Sequence, residues 1–204
     1  MPRLILPLSI MMQNLSGEET GIYYIDSTKL QICHRKRTRS NKVFKNIYKV
    51  GCSSYGWFMG YKLHLIINNK GNIMAIKITK ANKSDLLCAA NLAKGLTGNL
   101  YGDKGYISKK LFTELFKGGL KIFTGIRKDM KNHLLFNSDK LFLRKRVLIE
   151  SVFNVLKNSI NLEHSRHRSP INFIVHILAC VTSFSLAKYI NKPNILTNNL
   201  IPLF

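Results

Sequence analysis

Acidic residues are what this sequence has least of. Only 10 Asp and Glu stand against 32 Lys and Arg in 204 residues, a formal net charge of +22. Between Ser27 and Ser84 there is no acid at all, while Lys29, Arg35, Lys36, Arg37, Arg39 and further lysines crowd the same stretch. A polyanionic partner is the natural inference. The shortage also makes each acid that is present worth explaining.

Cysteine chemistry is equally thin. Cys33, Cys52, Cys88 and Cys180 form no C-x-x-C pair and no zinc-ligand spacing with the six histidines, which excludes a disulfide scaffold and a structural zinc site. Reduced thiols of a cytoplasmic protein are the expectation. The apolar run Leu4 to Met12 lacks a small-residue cleavage pattern, so it does not read as a signal peptide. The stretch from Ile171 to Ala187 carries no formal charge but contains Asn172, His176, Thr182, Ser183 and Ser185. At the lower length limit for a spanning helix, it reads as a core helix with no membrane span. No internal repeat is visible. With 46% hydrophobic and 21% charged residues the chain has ordinary globular composition, and its length fits one domain.

The order of elements follows from local pattern. A lead of about twenty residues precedes Gly21-Ile-Tyr-Tyr-Ile-Asp26, a short β-branched and aromatic strand ending in an acid. A basic, turn-rich stretch follows. Trp57 to Ile67 and Ile73 to Thr79 read as a hairpin around Asn68-Asn-Lys-Gly-Asn72. Ser84 caps a helix to about Lys94, Leu100-Tyr-Gly-Asp103 is a strand, Ser108 caps a helix ending at Gly118-Gly119, and Lys121 to Thr124 is the last strand. Helices over Leu141 to Ser159 and Ser169 to Tyr189 complete the chain. This alternation predicts an α/β domain, a mixed sheet flanked by helices. The expected division is a lead over 1–20, a catalytic domain over 21–190 and a tail over 191–204.

Most of the acids have a plain reading. Glu18 and Glu19 fall in a surface turn, Asp85 sits at a helix start, and Glu114, Asp129, Asp139 and Glu163 are read as solvated. Asp26 and Asp103 differ because each ends an apolar strand, where sites of α/β folds commonly form. Either alone is also an ordinary turn former. Glu150 follows Val147-Leu-Ile149 within a helix. At 100° per residue, Arg146, Glu150 and Lys157 fall within roughly 40° of one another, opposite Leu148, Val152, Val155 and Leu156. On spacing alone this is equally an i,i+4 surface pair of small worth. Trp57 reads as core.

Three blocks carry a resemblance. Tyr24-Ile-Asp26-Ser27-Thr28, Tyr101-Gly-Asp103-Lys-Gly-Tyr106 and Arg146-Val-Leu-Ile-Glu150 followed by Lys157 resemble the signature blocks of bacterial insertion-sequence transposases of the DDE superfamily. The last block matches R-x3-E-x6-K of the YREK signature. The tyrosine is absent, since position 143 is Leu143. Glu163-His-Ser-Arg-His-Arg-Ser-Pro170 and the final apolar helix extend the likeness, so it runs from about Gly21 to Tyr189.

The resemblance implies a ribonuclease H-like fold with Asp26, Asp103 and Glu150 as catalytic and metal-binding carboxylates. It implies Mg²⁺, with Mn²⁺ able to substitute, because convergent carboxylates suit a hard cation. DNA, both transposon ends and target, would be the partner, with Lys104, Arg146 and Lys157 near the metals holding phosphates. Arg35, Lys36, Arg37, Arg39, Arg166 and Arg168 are the expected backbone-tracking cations, Phe44 and Tyr48 being interleaved in the first group. Such enzymes carry an N-terminal DNA-binding region, so the short lead reads as the remnant of a missing one and the chain as a truncated copy. Assembly on DNA implies a homo-oligomer, at the nucleoid in the cytoplasm. Two other readings share these residues: a structure-selective nuclease on the same fold, and an inactive basic DNA-binding remnant.

Overall fold

The computed structural model describes residues 2–33, 35–37, 40–44, 47–53, 56–125, 136–163 and 167–190. Arg39, Arg166 and the 191–204 tail lie outside the described residues. The lead is not irregular: a short 3-10 turn at Pro2–Leu4 runs into helix α1 (Ile5–Asn14), which packs along the last helix. Leu6, Ile10 and Met11 on α1 remain exposed.

Strand β1 (Ile22–Gln31) is longer than the sequence suggested, so Asp26 lies inside the strand and does not end it. The cause is pairing. β3 (Gly56–Asn68) runs antiparallel to β1 from Tyr23 opposite Asn68 to Gln31 opposite Gly60, and these backbone bonds carry the strand past the acid into Ser27-Thr28-Lys29. β2 (Lys49–Ser53), unforeseen in the sequence, pairs with the first part of β3, and β4 (Ile73–Lys80) with the remainder through the expected hairpin. β5 (Gly98–Gly102) and β6 (Leu120–Thr124) join in parallel beyond β1. The order is β2-β3-β1-β5-β6 with β4 also on β3. Parallel neighbours require crossovers, and helices supply them: α2 (Leu86–Leu92) before β5 and α3 (Lys109–Lys117) before β6. Ser108 caps α3 through its side-chain oxygen, accepting from the Leu111 N–H at 3.3 Å.

An antiparallel meander joined to two parallel strands, with helices on both faces, is the ribonuclease H-like arrangement. One face carries Tyr23, Ile25, Ile66 and Leu100 against α2 and α3. The other carries Tyr24, Leu63, Leu65 and Ile67 against the C-terminal helices. This alternation is the period-2 geometry of strands, and each fully buried Leu or Ile contributes about 1.5–3 kcal/mol.

The helix expected over 141–159 is three pieces. α4 (Asn137–Arg144) and α5 (Val147–Asn154) break at Lys145-Arg146, and Val155–Ser159 winds as a π turn. Asp139, expected to be solvated, is buried and accepts the Tyr101 hydroxyl at 2.9 Å, fixing α4 to the end of β5. Burial and that carboxylate push the Tyr101 phenol well above its usual range. α6 (Pro170–Tyr189) is capped by Ser169 with Pro170 in its first turn. By length and composition it could cross a membrane, but Phe173, Ile177, Val181 and Phe184 are core residues against the sheet. Trp57, expected in the core, is 59% exposed on the outer part of β3.

Gly98 opens β5 against the chain entering β1. Its φ is 112°, and a Cβ there would stand 2.3 Å from the Gly21 carbonyl oxygen, which itself accepts the Asn99 N–H at 2.8 Å. Gly95, at φ 87°, faces open space. Gly98→Ala is expected to destabilise by about 2–4 kcal/mol and Gly95→Ala by about 1 kcal/mol, read from urea midpoints. Equal losses would show that the approach to Gly21 is not what demands glycine.

Candidate active site

The parallel register brings the first two acids together. Tyr24 pairs with Tyr101; Asp26 lies two residues on within β1, and Asp103 two residues on, just past the end of β5. Asp103 is exposed and N-caps a 3-10 turn at Lys104–Tyr106, its Oδ1 accepting the Gly105 N–H at 2.8 Å. Asp26 accepts the Ser27 N–H at 2.8 Å through Oδ1.

Glu150 arrives from α5, which packs on β1. The link is Arg146, at the start of α5. Its Nη1 donates to Asp26 Oδ2 at 3.0 Å and its Nη2 to Glu150 Oε1 at 2.9 Å. The helix pair and the strand acid therefore form one charged cluster, with the guanidinium fork as counter-charge.

Burial is the largest influence on Asp26 and raises its carboxyl to about 6. The Ser27 N–H and Arg146 oppose that rise, while the charges of Asp103 and Glu150 add to it. Asp103 and Glu150 thus both act on Asp26. Among the described residues, however, no three His, Cys, Asp or Glu side chains are gathered closely enough to grip one metal ion. The donor chemistry fits a hard divalent cation, since all three acids offer oxygen and two are exposed. In the present arrangement Arg146 holds two of those oxygens.

The basic residues divide. Lys157 was expected beside Glu150, but the π turn carries it to Glu163, whose Oε1 lies 2.8 Å from its ammonium. Glu163 is accordingly ion-paired and not simply solvated. The stem of Lys104 lies near Gly125, where an added Cβ would sit 3.3 Å from its Cε. Lys36, Arg37 and Arg168 are exposed, and Arg35 begins a 3-10 turn, Arg35–Arg37. Phe44 of the basic stretch is buried edge-on against Phe173, with centroids 5.8 Å apart, so it anchors that stretch to α6.

A second polar cluster was missed in the sequence. On the α2 side of the sheet, His64 is 1% exposed and its Nε2 lies 2.8 Å from the Thr79 hydroxyl, while Lys62 donates to Asp85 at 3.0 Å. The signal was Lys62 and His64 two apart in an apolar strand, which puts both on one face.

Between pH 3.8 and about 6 the folded state holds the Asp26 proton more tightly than the unfolded chain, so stability falls as pH rises through that window. Above it the full cost of a partly buried carboxylate is present, at most ~3 kcal/mol. Without divalent cation, Asp26→Asn is expected to melt higher than wild type at pH 8. Its advantage should shrink toward pH 4, as read by calorimetry at both pH values. A pH-independent difference would contradict the burial argument.

The sequence was compared with known families and curated proteins. No curated protein matches it. Residues 16–170 match the family model described as a transposase DDE domain. That span contains β1, β5 and α5 with all three acids, and the chain belongs to the transposase DDE domain family.

Proposed function

We propose that this chain catalyses metal-dependent cleavage and strand transfer of the DNA of an insertion sequence, with Asp26, Asp103 and Glu150 as its catalytic carboxylates. The family makes the function transposase-type and the partner DNA. The observation that carries the finer reading is the Arg146 bridge, which ties an acid of the central strand to one 124 residues later on a helix, beside a third acid at the end of the adjacent strand. In a sequence with ten acids, two of them meet on one guanidinium.

The three carboxylates would hold Mg²⁺ or Mn²⁺. Bound there, such ions supply activation of the attacking oxygen and stabilisation of the leaving one. The chain's own contribution is position and charge. The sheet fixes Asp26, the 3-10 turn orients Asp103, and Arg146 balances the cluster while it is empty of cation. Once its carboxylates are engaged elsewhere, the Arg146 fork is free to take a phosphate in bidentate fashion. Glu150 and Asp103 are exposed, so the site lies on open surface and suits a polymer. Water would cut the phosphodiester at the element's end, and the freed 3′-hydroxyl would attack target DNA. Lys36, Arg37, Arg168 and Lys104 would follow the backbone, and a homo-oligomer assembled on DNA at the cytoplasmic nucleoid would bring two ends together.

Strand transfer in Mg²⁺ or Mn²⁺, with DNA ends from the element flanking this reading frame, tests the proposal. Joined products are expected from wild type. Cut but unjoined products would favour a nuclease, and DNA binding with no product would favour a binding-only protein. Asp103→Asn should remove product, a loss of at least about 10³-fold for a metal-site carboxylate, while DNA binding holds or tightens because a negative charge is gone. Replacing Lys36 and Arg37 together by Ala should lower the slope of log K against log salt by up to about 2, measured by fluorescence anisotropy. An unchanged slope would remove that turn from the interface.

A further inference from the structure

The buried cluster behind the active strand has no part in the chemistry above. β3 turns Lys62, His64 and Ile66 to the α2 side of the sheet. Lys62 Nζ donates to Asp85 Oδ1 at 3.0 Å and to the Lys83 carbonyl at 3.2 Å. It therefore clamps the turn leading into α2 onto the sheet. Across the hairpin Lys62 is paired with Thr79 and His64 with Lys77. His64 meets the Thr79 hydroxyl at 2.8 Å, and its Nδ1 stands 3.8 Å from Asp85. Burial lowers the imidazole to about 4, Asp85 opposing and Lys62 and Lys77 assisting. His64 is therefore neutral near pH 7, and its approach to Asp85 is a contact rather than an ion pair.

This cluster continues toward Asp103. α2, which starts beside Asp85, packs on the 3-10 turn Lys104–Tyr106. Tyr106 is that turn's buried residue, 2% exposed, wedged so closely under β5 that a Cβ on Gly102 would lie 3.0 Å from its ring. Its hydroxyl has no hydrogen-bond partner among the described residues. Apart from burial, the strongest influence raising its phenol is Asp85, followed by Asp26 and Asp103. Tyr106 thus feels the charge of both groups of acids. Asp103 takes its direction from this same turn, which it caps.

We propose that Lys62 and Asp85, backed by His64, are positioning residues for Asp103: their ion pair fixes the start of α2, α2 fixes Tyr106, and Tyr106 fixes the turn that aims the Asp103 carboxylate. The inference rests on Asp103 being a metal ligand. None of these residues touches DNA or metal. Loosening the pair lets the Asp103 turn sample several directions, and cation affinity drops by the fraction of time it spends misdirected.

The test is Mn²⁺ binding to the full chain, measured by calorimetry at a temperature where circular dichroism shows every variant folded. Lys62→Met keeps the stem and removes the charge, and Asp85→Asn keeps the shape. Each is expected to raise the Mn²⁺ dissociation constant five- to twentyfold while DNA affinity at fixed salt changes less than twofold. Lys62→Arg, which keeps the ion pair, should stay within about twofold of wild type. Melting temperatures that fall while the Mn²⁺ constant holds would reduce the cluster to a structural role and overturn the inference alone. Wild-type protein that binds no Mn²⁺ would overturn the carboxylate reading of the site, and this inference with it.

Discussion

A half-buried strand carboxylate and a helix carboxylate brought face to face need a shared counter-charge, and here Arg146 provides it. One guanidinium reaches a strand acid at 3.0 Å and a helix acid at 2.9 Å. The fork fits because arginine offers two parallel donors and stays charged at any accessible pH. Lysine would offer a single point charge to one acid or the other. The bridge joins the start of α5, just past the break at Lys145-Arg146, to β1, on which that helix packs.

Arg146 sets one positive charge against Asp26 and Glu150 and holds an oxygen of each. Proton, guanidinium and divalent cation are alternative partners for the same negative charge. Burial lifts Asp26 to about 6 even with Arg146 beside it. Burial and the neighbouring acids thus outweigh Arg146 in setting the charge of Asp26.

Much of this was legible in the sequence, and the exceptions share a cause. The strands around Asp26 and Asp103, the hairpin, and the cap at Ser108 were readable because each depends on neighbours in the chain, whereas Ser84 is not the expected cap, since α2 begins after Asp85 with no side-chain cap bond. The i,i+4 relation of Arg146 and Glu150 was readable for the same reason, though Arg146 reaching Asp26 was not. β2 was not readable, since Lys49–Ser53 pairs only because β3 extends beside it. Nor was the burial of Asp139, which depends on a hydroxyl 38 residues earlier. Trp57 misled in the opposite direction, since its ring on the outer part of β3 stays largely exposed. Asp85 was correctly placed at a helix start, but no local rule reveals that Lys62 waits opposite it.

The π turn at Val155–Ser159 separates two charges that an unbroken helix would have locked together. In ideal winding, Glu150 and Lys157 ride one ridge, and any rotation that re-aims one drags the other. Wider winding lets the later segment slip in phase, so Lys157 faces Glu163 while Glu150 keeps its place beside Arg146. Carboxylate and ammonium are in this way adjusted independently. The helix is two differently wound lengths, the first held to the sheet beside Arg146 and the second seated through the buried Val155 and Leu156.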